Sequence, residues 1–80
     1  VEGESMIGAG INDGDLLVVD RGVTPRHGRV VVAMVSGDMT VKRLNLKSNP
    51  PQLDAANSAF RAITEEFEIW GTVTASITEF

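Results

Sequence analysis

The sequence has no cysteine and no tyrosine, and only one histidine and one tryptophan in 80 residues. Without cysteine there is no disulfide framework and no thiolate metal site, and a lone histidine, His27, cannot build a zinc cluster. No metal or other cofactor is expected, and the cytoplasm is the favoured location. Long apolar runs are missing too: no stretch approaches the ~18 residues of a membrane-spanning helix. The opening Val1-Glu2-Gly3-Glu4 has neither the basic nor the apolar part of a signal peptide. Positive charge is scarce, with seven Lys and Arg against eleven Asp and Glu and a net charge of -4. Neutralising a phosphate backbone needs a basic surface, so this domain is not expected to bind nucleic acid directly.

What remains is ordinary globular composition. Hydrophobic residues make up 42% and charged residues 22%, enough apolar material to fold and too little charge for a disordered segment. Residues 1–80 are expected to form one domain. A chain this short buries only about 60–65% of the surface its unfolded form exposes, which predicts a thin core and favours dimerisation. The chain opens on an acidic, glycine-containing stretch with no initiator Met, so an N-terminal portion is expected to precede it.

Periodicity and turn signals predict a mainly β fold. Asp15 to Asp20 is a short apolar run bounded by Asn12-Asp13-Gly14 and Gly22, as in a buried strand between turns. Arg29 to Val35 and Met39 to Leu46 carry β-branched residues on either side of Ser36-Gly37-Asp38 and predict a hairpin. Pro50-Pro51 interrupts regular structure, Gln52 to Asp54 fits a brief strand, and Phe67 to Ile77 predicts a final long one. Gly71 inside that strand marks a bulge or a close approach. Ser5 to Ile11 and Ala55 to Phe60 have room for a helical turn at most. Several short strands between Gly, Asp and Pro turns imply a curled, partly closed antiparallel sheet. Phe60, Phe67 and Trp70 are expected in the core or, failing that, at a dimer interface.

Several site chemistries can be set aside. His27 lies in a Pro25-Arg26-His27-Gly28 turn, a poor place for a Ser-His-Asp relay. Asp13, Asp15, Asp20 and Asp38 flank turns, where Asp characteristically caps backbone N–H groups. The early glycines lack the Gly-Lys-Ser/Thr of a phosphate loop. Lys42 stands out. Strand alternation puts Thr40, Lys42, Leu44 and Leu46 on one face, so one cation sits among leucines. A buried ammonium loses its proton readily, and a neutral amine is a general base. Such a base needs a nucleophile, and Ser5 lies between Gly3 and Gly8, where tight backbone geometry can aim N–H groups at an oxyanion. An ordinary snorkelling lysine and an ordinary turn serine fit the same residues, and spacing alone does not decide between these readings.

The order of motifs adds to this. Gly3-Glu4-Ser5-Met6 followed by Gly10-Ile11-Asn12-Asp13-Gly14-Asp15-Leu16-Leu17-Val18-Val19-Asp20 resembles the serine region of the LexA/UmuD self-cleaving family. Gly28-Arg29-Val30-Val31-Val32-Ala33 and Thr40-Val41-Lys42-Arg43-Leu44 resemble its lysine-bearing hairpin. Asn57-Ser58-Ala59-Phe60 and Ile69-Trp70-Gly71-Thr72-Val73 resemble its closing segments. Ile7 to Ile11 and the Asp20 to His27 connection are more similar to UmuD and its plasmid-borne relatives than to LexA or phage repressors. The resemblance implies a compact β domain that forms a homodimer, with Ser5 as nucleophile and Lys42 as the neutral base. The oxyanion hole would be made of backbone N–H groups beginning with that of Ser5, and Met6 would lie in the substrate groove or pack beside it. It further implies a serine peptidase of the SOS response to DNA damage that cuts its own N-terminal arm, assisted by a RecA filament on single-stranded DNA. The cleaved form would then join a UmuC-like Y-family DNA polymerase in translesion synthesis. The alternatives are a LexA-like or phage repressor self-cleaving domain and a catalytically spent dimerisation module. A signal-peptidase-like hydrolase would need a membrane anchor that this sequence lacks.

Overall fold

Five strands form where the apolar alternation predicts them. In the computed structural model, which describes residues 1–79, they are β1 (Leu16–Asp20), β2 (Val30–Val35), β3 (Asp38–Asn45), β4 (Gln52–Asp54) and β5 (Glu68–Ile77). All pair antiparallel in one open sheet of order β1-β5-β2-β3-β4. The fold is thus mainly β as expected, and the curled sheet stops short of closing into a barrel. Among the described residues no helix is long and apolar enough to cross a membrane.

The β2–β3 hairpin turns on two residues. Val35 pairs with Asp38, and Ser36 and Gly37 both take positive φ, 50° and 85°. Two successive left-handed residues give a turn whose twist matches the strands. Asp38 accordingly starts the second strand, whereas the sequence pattern put it in the turn. Gly71 meets both expectations made for it. Register slips between Val32, opposite Gly71, and Ala33, opposite Ile69, leaving Trp70 as the extra residue of a bulge. A Cβ on Gly71 would stand 2.5 Å from Val19 Cγ1, so β1 passes too close for any side chain there.

The main core cluster lies on one face of the sheet and is thin; Val32, on the other face of β2, is buried as well, as are Met6 and Ile11. Val31, Ala33, Leu44 and Leu53 are fully buried, flanked by half-buried Val35, Ile63, Phe67 and Ile69. Leu53 is fixed by reciprocal backbone bonds with Ile63 (Leu53 N–H to Ile63 O 3.0 Å, Ile63 N–H to Leu53 O 2.8 Å), which bring the 55–67 connection back across the strand ends. Of the aromatic residues expected inside, only Phe67 packs against this core. Phe60 and Trp70 are 46% and 37% exposed in the single chain, outside this core. Trp70 instead carries the Arg21 guanidinium 4.5 Å above its ring, and Arg21 Nε donates to its carbonyl at 2.8 Å.

The two segments with room for a helical turn divide. Ile7–Ala9 forms one turn of 3-10 helix closed by Gly10 in the left-handed region, whereas 55–60 forms bends and turns without helix. Leu46, expected on the strand face of Lys42, lies past the end of β3 and is 46% exposed.

Candidate active site

Lys42 sits where the sheet changes width. β4 pairs only with Arg43, Leu44 and Asn45, so the first half of β3 has a strand on one side only. Leu44 exchanges backbone bonds with Gly28 and Arg29 on the β2 side, and alternation turns the carbonyl of Val41 toward the open side. The lysine amine follows it there: Nζ donates to Val41 O at 3.0 Å, to Thr40 Oγ1 at 3.1 Å and to Ser5 Oγ at 2.7 Å. The residue is 9% exposed. All three hydrogen-bond partners are neutral oxygens, so no carboxylate offsets the desolvation. Burial pushes the Lys42 ammonium below its ordinary pKa.

Ser5 is brought to this edge by a segment tied down at many points. Gly3 N–H donates to Asp13 Oδ1 at 2.6 Å, and Gly14 N–H donates to Val1 O at 2.7 Å. Asp15, almost fully buried, accepts from Asn12 N–H at 2.8 Å and from the Thr78 hydroxyl at 2.7 Å. Those two bonds, the backbone one first, hold its carboxyl below its ordinary pKa. From the other side, Ala56 N–H donates to Ser5 O at 2.8 Å and Gly8 N–H donates to Ala56 O at 2.7 Å. A side chain at Gly8 would run into Ala56 O, which is why this approach needs glycine. Asn57 Nδ2 donates to Glu4 O at 3.0 Å.

Ser5 and Lys42, 37 positions apart, thus share the wall of a cleft of about 220 Å³ with Met6, Val32 and Thr40. Met6 is 2% exposed and both packs and lines the cleft. A larger groove of about 880 Å³ runs along Met34, Leu46, Pro50 and Phe67 with Glu65, Glu66 and Glu68 among its lining residues. It contains neither Ser5 nor Lys42; its one hydroxyl–carboxylate pair, Ser36 Oγ donating to Glu65 Oε2 at 3.0 Å, is exposed at the hairpin turn, so the buried Ser5–Lys42 pair and not volume favours the smaller cleft.

The residues set aside earlier do structural work. His27 Nδ1 accepts from Leu46 N–H at 3.0 Å, and Asp20 Oδ1 accepts from Gly22 N–H at 2.7 Å, both away from the cleft. Two residues enter the site without a sequence signal of their own. Alternation puts Thr40 beside Lys42, but only the fold shows that its hydroxyl accepts from Nζ. Asn57 lies in a segment whose contact with Glu4 spans 53 positions.

The chain matches the Peptidase S24-like family model over residues 1–74. It belongs to that family. The LexA/UmuD resemblance of the sequence motifs is therefore borne out, and relatives of both kinds appear. Protein MucA of Salmonella typhimurium is 45% identical over 84 residues, covering 99% of this chain and 57% of MucA. Protein ImpA of Escherichia coli is 47% identical over 74 residues, 90% of this chain and 51% of ImpA. The LexA repressor of Syntrophotalea carbinolica is 39% identical over 84 residues, all of this chain and 42% of the repressor. The chain spans about half the length of the curated relatives it matches.

Proposed function

We propose that Ser5 and Lys42 form the dyad of a self-cleaving serine peptidase, and that the protein is a UmuD-like SOS mutagenesis protein. The observation that carries the dyad is the 2.7 Å contact between Lys42 Nζ and Ser5 Oγ, made by a lysine that is buried without a carboxylate. In the ammonium form three hydrogens meet three acceptors. In the neutral form two hydrogens serve Val41 O and Thr40 Oγ1, and the lone pair is left to accept the Ser5 hydroxyl proton.

The reaction then balances without a cofactor. The Ser5 proton passes to Nζ as Oγ bonds to the scissile carbonyl carbon, and the negative charge forms on the carbonyl oxygen beside the Ser5 N–H. Collapse of this intermediate breaks the C–N bond, and Nζ returns the proton to the leaving amine. Water, deprotonated by the same amine, hydrolyses the Ser5 ester and regenerates both side chains. The bond cut lies in an N-terminal arm of the same polypeptide, outside these 80 residues, and Met6 contributes the apolar floor on which the arm rests.

The MucA and ImpA relatives support the biological setting we assign. In this reading the homodimer is cytoplasmic and a RecA filament on single-stranded DNA favours docking of the arm. The processed form serves a UmuC-like Y-family polymerase in translesion synthesis. The LexA relative at 39% identity supports a second reading, a repressor self-cleaving domain. A full-length protein that opens with about 25 extended residues favours the first, and a basic three-helix domain favours the second.

Mass spectrometry of the full-length protein after incubation at alkaline pH tests the dyad. One defined cut is expected in the wild type and none in Ser5→Ala or Lys42→Ala. Cleavage that survives either substitution overturns the assignment, and an intact wild type identifies a spent dimerisation module.

A further inference from the structure

In a trans peptide the C=O of one residue and the N–H of the next point in opposite directions. Whatever grips the carbonyl of Glu4 therefore aims the N–H of Ser5. Asn57 Nδ2 grips it at 3.0 Å, with a longer bond from Ile7 N–H at 3.3 Å to the same oxygen. The next peptide is held the same way, since Ser5 O accepts from Ala56 N–H at 2.8 Å. Among the described residues, Ser5 N–H itself donates to no protein acceptor. Both carbonyls flanking the serine are tied to the 56–57 segment, and the N–H between them is left available.

We infer that Asn57 is a positioning residue for the oxyanion hole: by holding Glu4 O it fixes the Glu4–Ser5 peptide plane so that Ser5 N–H faces the developing oxyanion. The inference rests on the Ser-Lys peptidase reading, in which that N–H is the first oxyanion donor. Asparagine suits the task because the position needs a donor and an acceptor on one short side chain. While Nδ2 donates to Glu4 O, Oδ1 accepts from Ala59 N–H at 3.0 Å, which holds the amide in place. Aspartate has the shape and the acceptor but no donor, and serine keeps the acceptor role in a turn but does not reach Glu4. With that grip lost, only the longer Ile7 N–H bond restrains the Glu4 carbonyl, and the peptide can turn this oxygen toward the site, where two oxygens would repel.

The test is the pH profile of self-cleavage by the full-length protein carrying Asn57→Ser, with melting temperature measured alongside. An oxyanion donor stabilises the transition state without touching the base, so the alkaline plateau should fall about tenfold to a hundredfold while the midpoint stays at the wild-type pH. Asn57→Asp should lose at least as much and keep its melting temperature within a few degrees, since the Ala59 contact survives. A folded Asn57→Ser protein that cleaves at the wild-type plateau overturns the inference. So does a fall that comes with a shifted midpoint, which would mean that the lysine environment had changed. Ser5→Ala run in parallel separates the two levels: residual cleavage there defeats the peptidase reading itself, whereas an inactive Ser5→Ala beside a fully active Asn57→Ser defeats only the role of Asn57.

Discussion

Replacing Lys42 by methionine tests the burial of the amine through stability, independently of any cleavage. In the unfolded chain the lysine titrates near its ordinary 10.5, and in the folded protein burial lowers that value, with three neutral oxygens as its hydrogen-bond partners. Between the folded and unfolded pKa values the unfolded state holds more protons, so the stability of the lysine protein rises with pH through that window. Below the folded pKa the penalty is constant. Each unit of depression costs about 1.4 kcal/mol, or about 5–10 °C of melting temperature in a domain of this size. Methionine has a similar volume and no titration. In a Ser5→Ala background it also forfeits the two remaining hydrogen bonds of Nζ, to Thr40 Oγ1 and Val41 O, which shifts the difference by a fixed amount, so the slope with pH and not the offset carries the test.

Thermal melts followed by circular dichroism from pH 6 to 10.5 would measure it, comparing Ser5→Ala with Ser5→Ala/Lys42→Met so that neither protein cuts itself. The advantage of the methionine protein should be largest near neutrality and shrink steadily as the pH approaches 10.5. The wild-type cleavage rate should rise through the folded pKa, where that decline begins, and level off above it. A stability difference that stays flat or grows toward high pH would refute the lowered pKa. A cleavage rate flat from about pH 6 to 10 would refute the neutral base.

Thr40→Val keeps the shape of the side chain but removes the hydroxyl that accepts from Nζ. It should lower the alkaline cleavage plateau by about fivefold, the worth of one hydrogen bond of ~1 kcal/mol, with Thr40→Ser restoring the rate; an unchanged Thr40→Val rate would remove this residue from the site. Asp15→Asn should destabilise the fold above pH 3.8 and flatten the acid arm of the stability curve. The lowered pKa of Asp15 gives stability that is present above its unfolded value of 3.8 and is lost as pH falls through the folded value. An unaltered acid arm in denaturant melts would contradict this. Leu53→Ala removes a fully buried side chain from the centre of the core and should cost about 2–5 kcal/mol. That is a fall of roughly 8 °C or more in melting temperature, and a loss below about 3 °C would deny Leu53 its place in the core.

Strand placement was readable because its causes are local. Alternation, β-branched residues and turn glycines act within a few positions, and all five strands appear where those signals fall. Differences arise where the exact turn geometry or a neighbour in space overrides the coarse local signal. Asp38 joins the strand because Ser36 accepts a left-handed conformation. Ala55 to Phe60 gives up a helical turn, its backbone instead bonding the serine segment at Ala56. Phe60 and Trp70 were expected in the core or at a dimer interface because of their size; in the single chain both lie outside the core, since burial depends on what covers a residue.

The sequence by itself determined the mainly β pattern, the absence of cysteine chemistry, and the ordered motifs that mark the family, because each is written in composition or short-range order. Tertiary structure alone decided that Ser5 and Lys42 touch, that the amine lies buried without a carboxylate, and that Thr40 and Asn57 hold the two partners. Those facts depend on chain crossings of 37 and 53 positions, and burial and hydrogen-bond geometry exist only once distant segments have packed.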